Sequence, residues 1–486
     1  MTILAAILRL VGLGSPAELI FDETYYVKDA YTLLENGFEK SWPENANPDF
    51  EAGRVDTYLD SPSFVVHPPL GKWLIALGLA AFGADSSVGW RIGVALAGTL
   101  AVAAVCFAAW LLTRSVACST VAGGLMAVDG HAIVMSRTAL LDTFVMLFAL
   151  LAFIAILLDR HHSARRLGAW LEKHPGSAWG PALWWRPWLV TAGILCGLAS
   201  AVKWSGLYFL AAFALYTLVV DALSRRRAGV TLWLSGTLLK QAPVSFALTV
   251  PVAVAAHLAT WWGWFATSGG YYRHWAEEAG NRAVGLFSWV PVDVQSWWHY
   301  QVATYSFHVG LSTSHPYQAN PWSWLALIRP TSFHYSTAAT GEAGCAAEQC
   351  AALITSVANP LIWWSASLAL LYLVYRLLRF RQWQAGAILV GVAAGYFPWL
   401  LYPNRTVFQF YTIAFEPYLI LALTLALMAV AGSAADSPRR RAVGIRMCII
   451  FGVLVLGVSA FFYPVWTGMM VPEPFVRSHF WLPGWV

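Results

Sequence analysis

Long apolar segments alternate with short polar connections along almost the whole chain. Ten of these segments are long enough, or nearly so, to cross a bilayer core, which takes about 20 helical residues. They cover residues 88–113, 116–134, 139–158, 188–202, 204–220, 242–262, 361–375, 385–401, 407–430 and 447–462. The apolar segment 1–13 is too short to cross alone and is counted as a remnant first span. The pattern therefore predicts about eleven transmembrane helices in one domain covering residues 1–486.

Two connections are much longer than the rest, over residues 14–87 and 264–358. Because arginine and lysine accumulate on the cytoplasmic side of membrane proteins, the shorter connections fix the orientation. Their basic residues fall on one side of the predicted bundle: Arg160, Arg165, Arg166, Lys173, Arg225, Arg226, Arg227, Arg376, Arg379, Arg381, Arg439, Arg440, Arg441 and Arg446. The two long connections are therefore expected on the extracytoplasmic side, and they are long enough to form an active site.

Composition supports a membrane protein with an all-α fold. Of the 486 residues, 58% are hydrophobic and only 11% are charged, whereas soluble domains carry about 25% charge. The 27 tryptophans suit the membrane–water interface. The net charge of +5 is explained by orientation, so no nucleic-acid partner is expected. Within the first long connection, residues 68–82 predict an amphipathic helix lying in the interface.

An acidic pair, Asp22 and Glu23, follows the first apolar segment within the sequence FDETYY. A carboxylate within hydrogen-bond reach can take the proton of a Ser or Thr hydroxyl as that hydroxyl attacks. The pair is a candidate for general-base catalysis. The alternative is a solvated helix boundary, and the residues alone do not separate the two.

Four basic residues lie on the predicted extracytoplasmic side, where few are expected: Arg91, Arg137, Lys203 and Arg405. Charges near a bilayer are costly and usually have a partner. The partner is either a phosphate of a bound lipid substrate, or a membrane lipid or an acid such as Asp142. These four are the candidate phosphate contacts.

Four further residues are candidate substrate contacts: His67, Lys72, His315 and Tyr317. His67 and Lys72 lie in HPPLGKW, where the alternative is a helix cap whose lysine snorkels to lipid headgroups. His315 and Tyr317 lie in the aromatic second long connection, which is also typical of an interfacial aromatic belt.

Cys345 and Cys350 lie close together in the second long connection, where an oxidising environment favours a disulfide. A metal site is not predicted, because two adjacent acids do not complete the ligand set of a divalent ion. No cofactor is expected to be required. A divalent cation is left open but not favoured, since four basic residues could neutralise a phosphate without one.

Six motifs together resemble bacterial protein O-mannosyltransferases of the actinobacterial type. They are FDETYYVKDA from Phe21, HPPLGKW from His67, GWR ending at Arg91, SRTALLDT from Ser136, KWSGL from Lys203 and HPYQANPW from His315. The resemblance implies a GT-C fold in the bacterial cell membrane. It implies inverting transfer of one mannose from polyprenyl-phosphate-mannose to Ser or Thr of secreted or membrane proteins. Whether those acceptors emerge from the secretion machinery stays open.

The resemblance also assigns roles to residues. It implies that Asp22 is the catalytic base and that Arg91 and Lys203 contact the donor phosphate, with Arg137 and Arg405 less firmly placed. Two rival functions remain. One is a polyprenyl-phosphate-sugar-dependent transferase acting on a lipid or glycan. The other is a lipid-sugar transporter or flippase, which predicts charged mid-span positions and repeat-related broken helices.

Overall fold

The computed structural model describes residues 1–485 as a helical bundle with two long, structured connections. Helices dominate because each satisfies its own backbone hydrogen bonds, which lipid cannot do. They are α1 (Thr2–Leu10), α2 (Glu23–Asn36), α3 (Asn47–Glu51), α4 (Leu70–Phe82), α5 (Ser87–Thr113), α6 (Val116–Val128), α7 (Gly130–Met135), α8 (Asp142–Lys173), α9 (Pro187–Val202), α10 (Gly206–Arg227), α11 (Trp233–Ser235), α12 (Ala242–Ala259), α13 (Trp262–Ala266), α14 (Val292–Gly310), α15 (Pro360–Phe380), α16 (Trp383–Tyr396), α17 (Glu416–Ala431), α18 (Pro438–Thr467) and α19 (Glu473–Arg477).

Other elements are short. A π-helix covers Gly236–Gln241 and joins α11 to α12. The 3-10 helices are Trp275–Glu277, Gly285–Phe287, Pro321–Ala326, Phe397–Leu401, Gln409–Ala414 and Pro483–Trp485. The strands are β1 (Ser332–Ala339), β2 (Gln349–Thr355) and β3 (Val471–Pro472).

Seven helical segments within residues 1–485 are long and apolar enough to cross a membrane. They are Ser87–Thr113, Asp142–Lys173, Gly206–Arg227, Trp233–Ala259, Pro360–Phe380, Trp383–Leu401 and Pro438–Thr467. Four shorter apolar helices accompany them: Leu70–Phe82, Val116–Val128, Pro187–Val202 and Glu416–Ala431. The chain is therefore a polytopic membrane protein. The total of about eleven spans, which also counts α1, stays a prediction.

Two predicted spans are shorter than their apolar segments. The segment 116–134 breaks at Asp129, whose carboxylate accepts hydrogen bonds from the N–H groups of His131 and Ala132 and starts α7. The segment 407–430 becomes an α-helix only at Glu416, after a 3-10 turn. In both places a side chain or turn replaces continuous α-helical hydrogen bonding, which hydropathy alone does not register.

A three-stranded antiparallel sheet, in the order β1-β2-β3, was not among the sequence expectations. Strands β1 and β2 form a hairpin from Ser332↔Thr355 to Ala339↔Gln349, and Cys345 and Cys350 are joined by a disulfide at its tip. The short β3 pairs with β2 from the far C-terminal region. The sheet thus attaches the second long connection to the end of the chain.

The two long connections meet at one end of the bundle, here called the loop end. The Tyr300 hydroxyl donates to the carbonyl of Val65 at 2.9 Å and accepts from the Val65 N–H at 3.1 Å. His308 donates from Nε2 to the carbonyl of Val66 at 2.8 Å. Helix α14 therefore holds the chain that leads to His67 against the bundle.

Candidate active site

Asp22 lies at the start of α2, directly after a residue with strained backbone. Phe21 has φ of 49°, a left-handed conformation that side chains with a Cβ rarely adopt. Its ring is held by four other rings at centroid distances of 5.0–5.9 Å: His315, Phe333, Phe408 and Phe410. Strain of this kind persists only where packing enforces it, and it concentrates at functional sites. The aromatic cluster therefore holds the backbone that leads into Asp22.

The environment of Asp22 suits a base that works near neutral pH. Burial raises the pKa of Asp22 to about 6, with a further upward contribution from Asp142. The Lys203 ammonium and a hydrogen bond from Tyr26 oppose this rise in the pKa. A catalytic base is most effective when its pKa lies near the working pH. Asp22 therefore accepts a proton more readily than an ordinary aspartate and is still ionised at neutral pH.

Glu23 has a different environment from its neighbour. Its carboxylate is fully buried and pairs with Arg91 through two parallel hydrogen bonds of 2.7 and 2.8 Å. It also accepts the backbone N–H groups of Ala139 at 2.7 Å and Ile20 at 3.1 Å. With four hydrogen bonds made, Glu23 ties the first long connection to the bundle. This geometry assigns it to support rather than to the catalytic role expected from the acidic pair.

Arg91 also differs from its expected role as a phosphate contact. Besides pairing with Glu23, its guanidinium donates to the carbonyls of Leu13, Pro16 and Glu18. These contacts use all five N–H groups of the side chain. The side chain is buried, and no donor remains for a lipid phosphate. The structure therefore assigns Arg91 to holding the segment that leads to Asp22.

Arg137 is a second anchor of that segment. Its guanidinium donates to the carbonyls of Arg9, Val11 and Gly12 at 2.7–3.0 Å, and its side chain is buried. A planar fork of donors suits a group of converging carbonyls. Arg137 therefore supports the start of the first long connection through its backbone carbonyls. It does not line the pocket described next.

Lys203 and Arg405 line one pocket at the loop end. Lys203 Nζ lies 2.6 Å from Asp142 Oδ2 and 5.1 Å from the centre of the Tyr411 ring. Arg405 donates from Nε to the carbonyl of His308 at 2.8 Å. Two cations thus face a pocket in which Asp142 is the one acidic lining residue within the described chain. The arrangement can stabilise negative charge on a bound group.

Two histidines complete the polar wall of this pocket. The rings of His67 and His308 stack with centroids 5.2 Å apart. Burial lowers the pKa of His308 to about 4, and burial with nearby Lys203 places the pKa of His67 well below its usual value. Both rings are therefore neutral at physiological pH. His308 already uses both ring nitrogens, on the Val66 carbonyl and the Arg405 guanidinium, whereas the His67 ring can exchange hydrogen bonds with a hydroxyl group. His308 was missed from the sequence, because it lies in a helix without a distinguishing motif.

Lys72 does not reach lipid headgroups or the pocket. Its ammonium lies 2.5 Å from Glu39 Oε1 and donates to the carbonyl of His67 at 3.0 Å. The side chain is only 1% exposed, which excludes the alternative of snorkelling to lipid headgroups. Because it bonds the backbone of His67, Lys72 fixes the position of that ring.

His315 and Tyr317 lie beside the site rather than in the pocket lining. The His315 ring packs edge-on against Phe21 and Phe408, and its Nδ1 accepts the Tyr317 N–H at 3.1 Å. Tyr317 stacks under the guanidinium of Arg329 at 5.1 Å. The HPYQANPW segment therefore supports the turn at Phe21 from the second long connection.

A long apolar groove of about 1330 Å³ begins next to the pocket. Tyr208 lines both, and the groove continues between α10 and α16 along residues such as Leu215 and Val390. It ends among arginines near the opposite end of α10, including Arg226. An apolar chain attached to a group in the pocket could extend along this groove. Within residues 1–485, no three His, Cys, Asp or Glu side chains converge as a metal site.

Comparisons with known proteins agree with these features. Residues 51–255 match the family model described as dolichyl-phosphate-mannose-protein mannosyltransferase. Residues 293–485 match the C-terminal four-transmembrane region of protein O-mannosyltransferase. A polyprenol-phosphate-mannose–protein mannosyltransferase of Mycolicibacterium smegmatis is 35% identical, over 100% of this chain and 91% of that protein. One of Corynebacterium glutamicum is 31% identical, over 99% of this chain and 92% of that protein.

The fold is also shared with a solved structure. The S. cerevisiae protein O-mannosyltransferase Pmt1-Pmt2 complex bound to the sugar donor matches with a TM-score of 0.71 and 14% sequence identity. The match covers 100% of this chain and 91% of that chain. The predicted helical GT-C-type membrane fold is thereby confirmed. On the strength of its full-length relatives and family matches, the chain belongs to the protein O-mannosyltransferase family of membrane glycosyltransferases.

Proposed function

We propose that this chain transfers mannose from polyprenyl-phosphate-mannose to Ser or Thr hydroxyls of polypeptides. The names of the relatives supply the donor and acceptor classes. The observation that carries the proposal is the proximity of Asp22 to Lys203, which lines a pocket with a second cation, Arg405, beside an apolar groove. A base, a phosphate site and a lipid channel are the three parts that this reaction needs.

Asp22 acts as the general base. Its carboxylate takes the proton of the acceptor hydroxyl while the hydroxyl oxygen forms a bond to C1 of mannose. The bond from C1 to the phosphate oxygen breaks, and its electron pair leaves with polyprenyl phosphate. Attack from the face opposite the phosphate inverts the configuration at C1. The pKa of Asp22, raised by burial to about 6, supports this role.

Lys203 and Arg405 bind the donor phosphate and stabilise the charge that develops on it. Such preorganised cations are worth most where the negative charge increases in the transition state. Lys203 uses one hydrogen bond on Asp142 and keeps further N–H groups for a phosphate oxygen. The neutral ring of His67 orients a sugar hydroxyl, His308 positions the Arg405 guanidinium, and the groove beyond Tyr208 receives the prenyl chain. No metal ion is required in this scheme.

The reaction takes place on the extracytoplasmic side of the bacterial plasma membrane. The exposed arginines Arg226, Arg227 and Arg381 lie away from the loop end, as expected for cytoplasmic residues. A lipid-linked donor fits that location, because it brings an activated sugar to a compartment without nucleotide sugars.

The experiment uses purified protein with synthetic polyprenyl-phosphate-mannose in the presence of EDTA. Acceptors are a peptide with one Thr, the same peptide with Val in its place, and a glycolipid. The proposal predicts transfer to the Thr peptide alone, with an α-linked product from a β-linked donor. Transfer to the glycolipid but not to the peptide, or a β-linked product, would contradict it. Donor transport across vesicles without transfer would favour a flippase.

A further inference from the structure

Strand β1 is the open edge of the three-stranded sheet. It pairs only with β2, because β3 lies on the other side of β2. In a paired strand, backbone N–H and C=O groups point alternately toward and away from the neighbour. Between Phe333 and Ala338, the groups that face away from β2 have no backbone partner within residues 1–485, whereas Glu342 bonds both backbone groups of Ala339 at the hairpin tip. The edge is therefore available to another extended chain.

Between its two ends, this edge lacks the features that normally prevent strand addition. Folded proteins protect open edges with lysines, prolines, inward-pointing charges or bulges. The β1 sequence, SFHYSTAA, contains no lysine, arginine or proline, and its one irregularity is confined to Ser332–His334. Tyr335 and Thr337 are exposed, whereas almost all of β2 is buried. An unprotected edge on an exposed strand is typical of a surface that binds an extended peptide.

The start of the edge contacts the segment that carries the catalytic carboxylate. The Phe333 ring packs on the Phe21 ring at 5.0 Å, and Phe21 directly precedes Asp22. The next residue, His334, lies 2.9 Å from Glu18 through Nδ1 and Oε1. A chain added to β1 would lie about 4.8 Å from it, the ordinary spacing of paired strands. Such a chain would therefore run from the Asp22 segment toward the hairpin tip.

We propose that the acceptor polypeptide binds as a fourth strand on the open edge of β1, which presents its Ser or Thr to Asp22. The proposal rests on the function proposed above. The partner is an unfolded or extended polypeptide, because only a free backbone can supply the complementary hydrogen bonds. Main-chain pairing gives affinity without a sequence motif, so acceptors of different sequence are accommodated.

The test is a backbone scan of the acceptor. Peptides with one Thr are synthesised with a single N-methyl group at successive positions beside it, and KM and kcat are measured separately. Pairing with β1 predicts that KM rises roughly two- to tenfold at every second position and stays unchanged between them. A uniform effect, or none, overturns the proposal. Failure of the unmethylated peptide to accept mannose would instead refute the proposed function.

Two proline variants of the enzyme supply a matched pair, Ser336→Pro and Thr337→Pro. Of two neighbouring strand residues, one directs its N–H toward β2 and the other toward the open edge. The variant at the outward position is expected to keep its thermal stability and raise the peptide KM. The variant at the inward position is expected to weaken the hairpin. Unchanged peptide KM in a stable outward variant overturns the proposal.

A second copy of the chain is the competing occupant of the edge. A Thr337→Cys variant separates the two, because edge-to-edge pairing would bring the introduced thiols of two copies together. The proposal predicts that this variant stays monomeric after oxidation and forms a disulfide with an acceptor peptide that carries a cysteine. Efficient crosslinking between copies, without capture of the peptide, overturns it.

Discussion

At the residue scale, two neighbouring acids have opposite environments. Glu23 is fully paired with Arg91 and two backbone N–H groups, whereas Asp22 faces the charges of Lys203 and Asp142. A carboxylate whose oxygens already accept four hydrogen bonds has little room to accept one from a substrate hydroxyl. The two acids therefore differ in role: Glu23 anchors the segment, and the proposed mechanism uses Asp22 as the base.

The raised pKa of Asp22 gives a prediction about pH. Because the base must be ionised, kcat/KM should fall as the pH drops through about 6, by roughly tenfold per unit below it. The measurement is the rate of mannose transfer from pH 4.5 to 8 at fixed concentrations of donor and peptide, which gives the midpoint of this decrease. A decrease with its midpoint near pH 4, close to the ordinary pKa of an exposed aspartate, would contradict the account. The residual activity of Asp22→Asn should not show this decrease at low pH.

At the element scale, the segment between α1 and α2 is held by the guanidinium groups of two arginines rather than by regular secondary structure. Arg91 from α5 and Arg137 after α7 bind five of its carbonyl groups between them. Positions of unusual charge were identified from the sequence, but whether a guanidinium meets a phosphate or the protein's own backbone depends on tertiary folding. Hydropathy and charge do not encode that choice.

Removing one of these guanidinium groups should therefore lower the free energy of unfolding. Arg91→Leu leaves Glu23 buried without its partner, which costs about 3–5 kcal/mol. Thermal unfolding in detergent should show a large decrease in Tm for this variant. Arg114→Leu is the matched control, because Arg114 follows the other end of α5 and is exposed. Unchanged stability together with a raised KM for the donor would restore Arg91 as a phosphate contact.

At the scale of the whole molecule, both long connections gather at the loop end and share the site. Asp22 comes from the first, His308 from the second, and Lys203 and Arg405 from turns between helices. The membrane architecture and several of these residues were predictable, because apolar length and charge are local properties. The sheet, the break at Asp129 and the inclusion of His308 were not predictable, because each depends on contacts distant in sequence.

Orientation of the bundle gives a prediction for intact cells. A cysteine introduced at Asp60, an exposed position in the first long connection, should react with a membrane-impermeant maleimide. A cysteine at Arg226, which is exposed near the arginine end of the groove, should react only after permeabilisation. The reverse pattern of labelling would place the site on the cytoplasmic side.

The central claim is that Asp22 removes the proton of the acceptor hydroxyl. The most direct measurement is single-turnover mannose transfer by purified Asp22→Asn, with Asp60→Asn from the same connection as the control. The account predicts a loss of about 10²–10⁴-fold for Asp22→Asn with donor binding retained, and near-normal transfer for Asp60→Asn. Undiminished transfer by a folded Asp22→Asn protein would contradict the account.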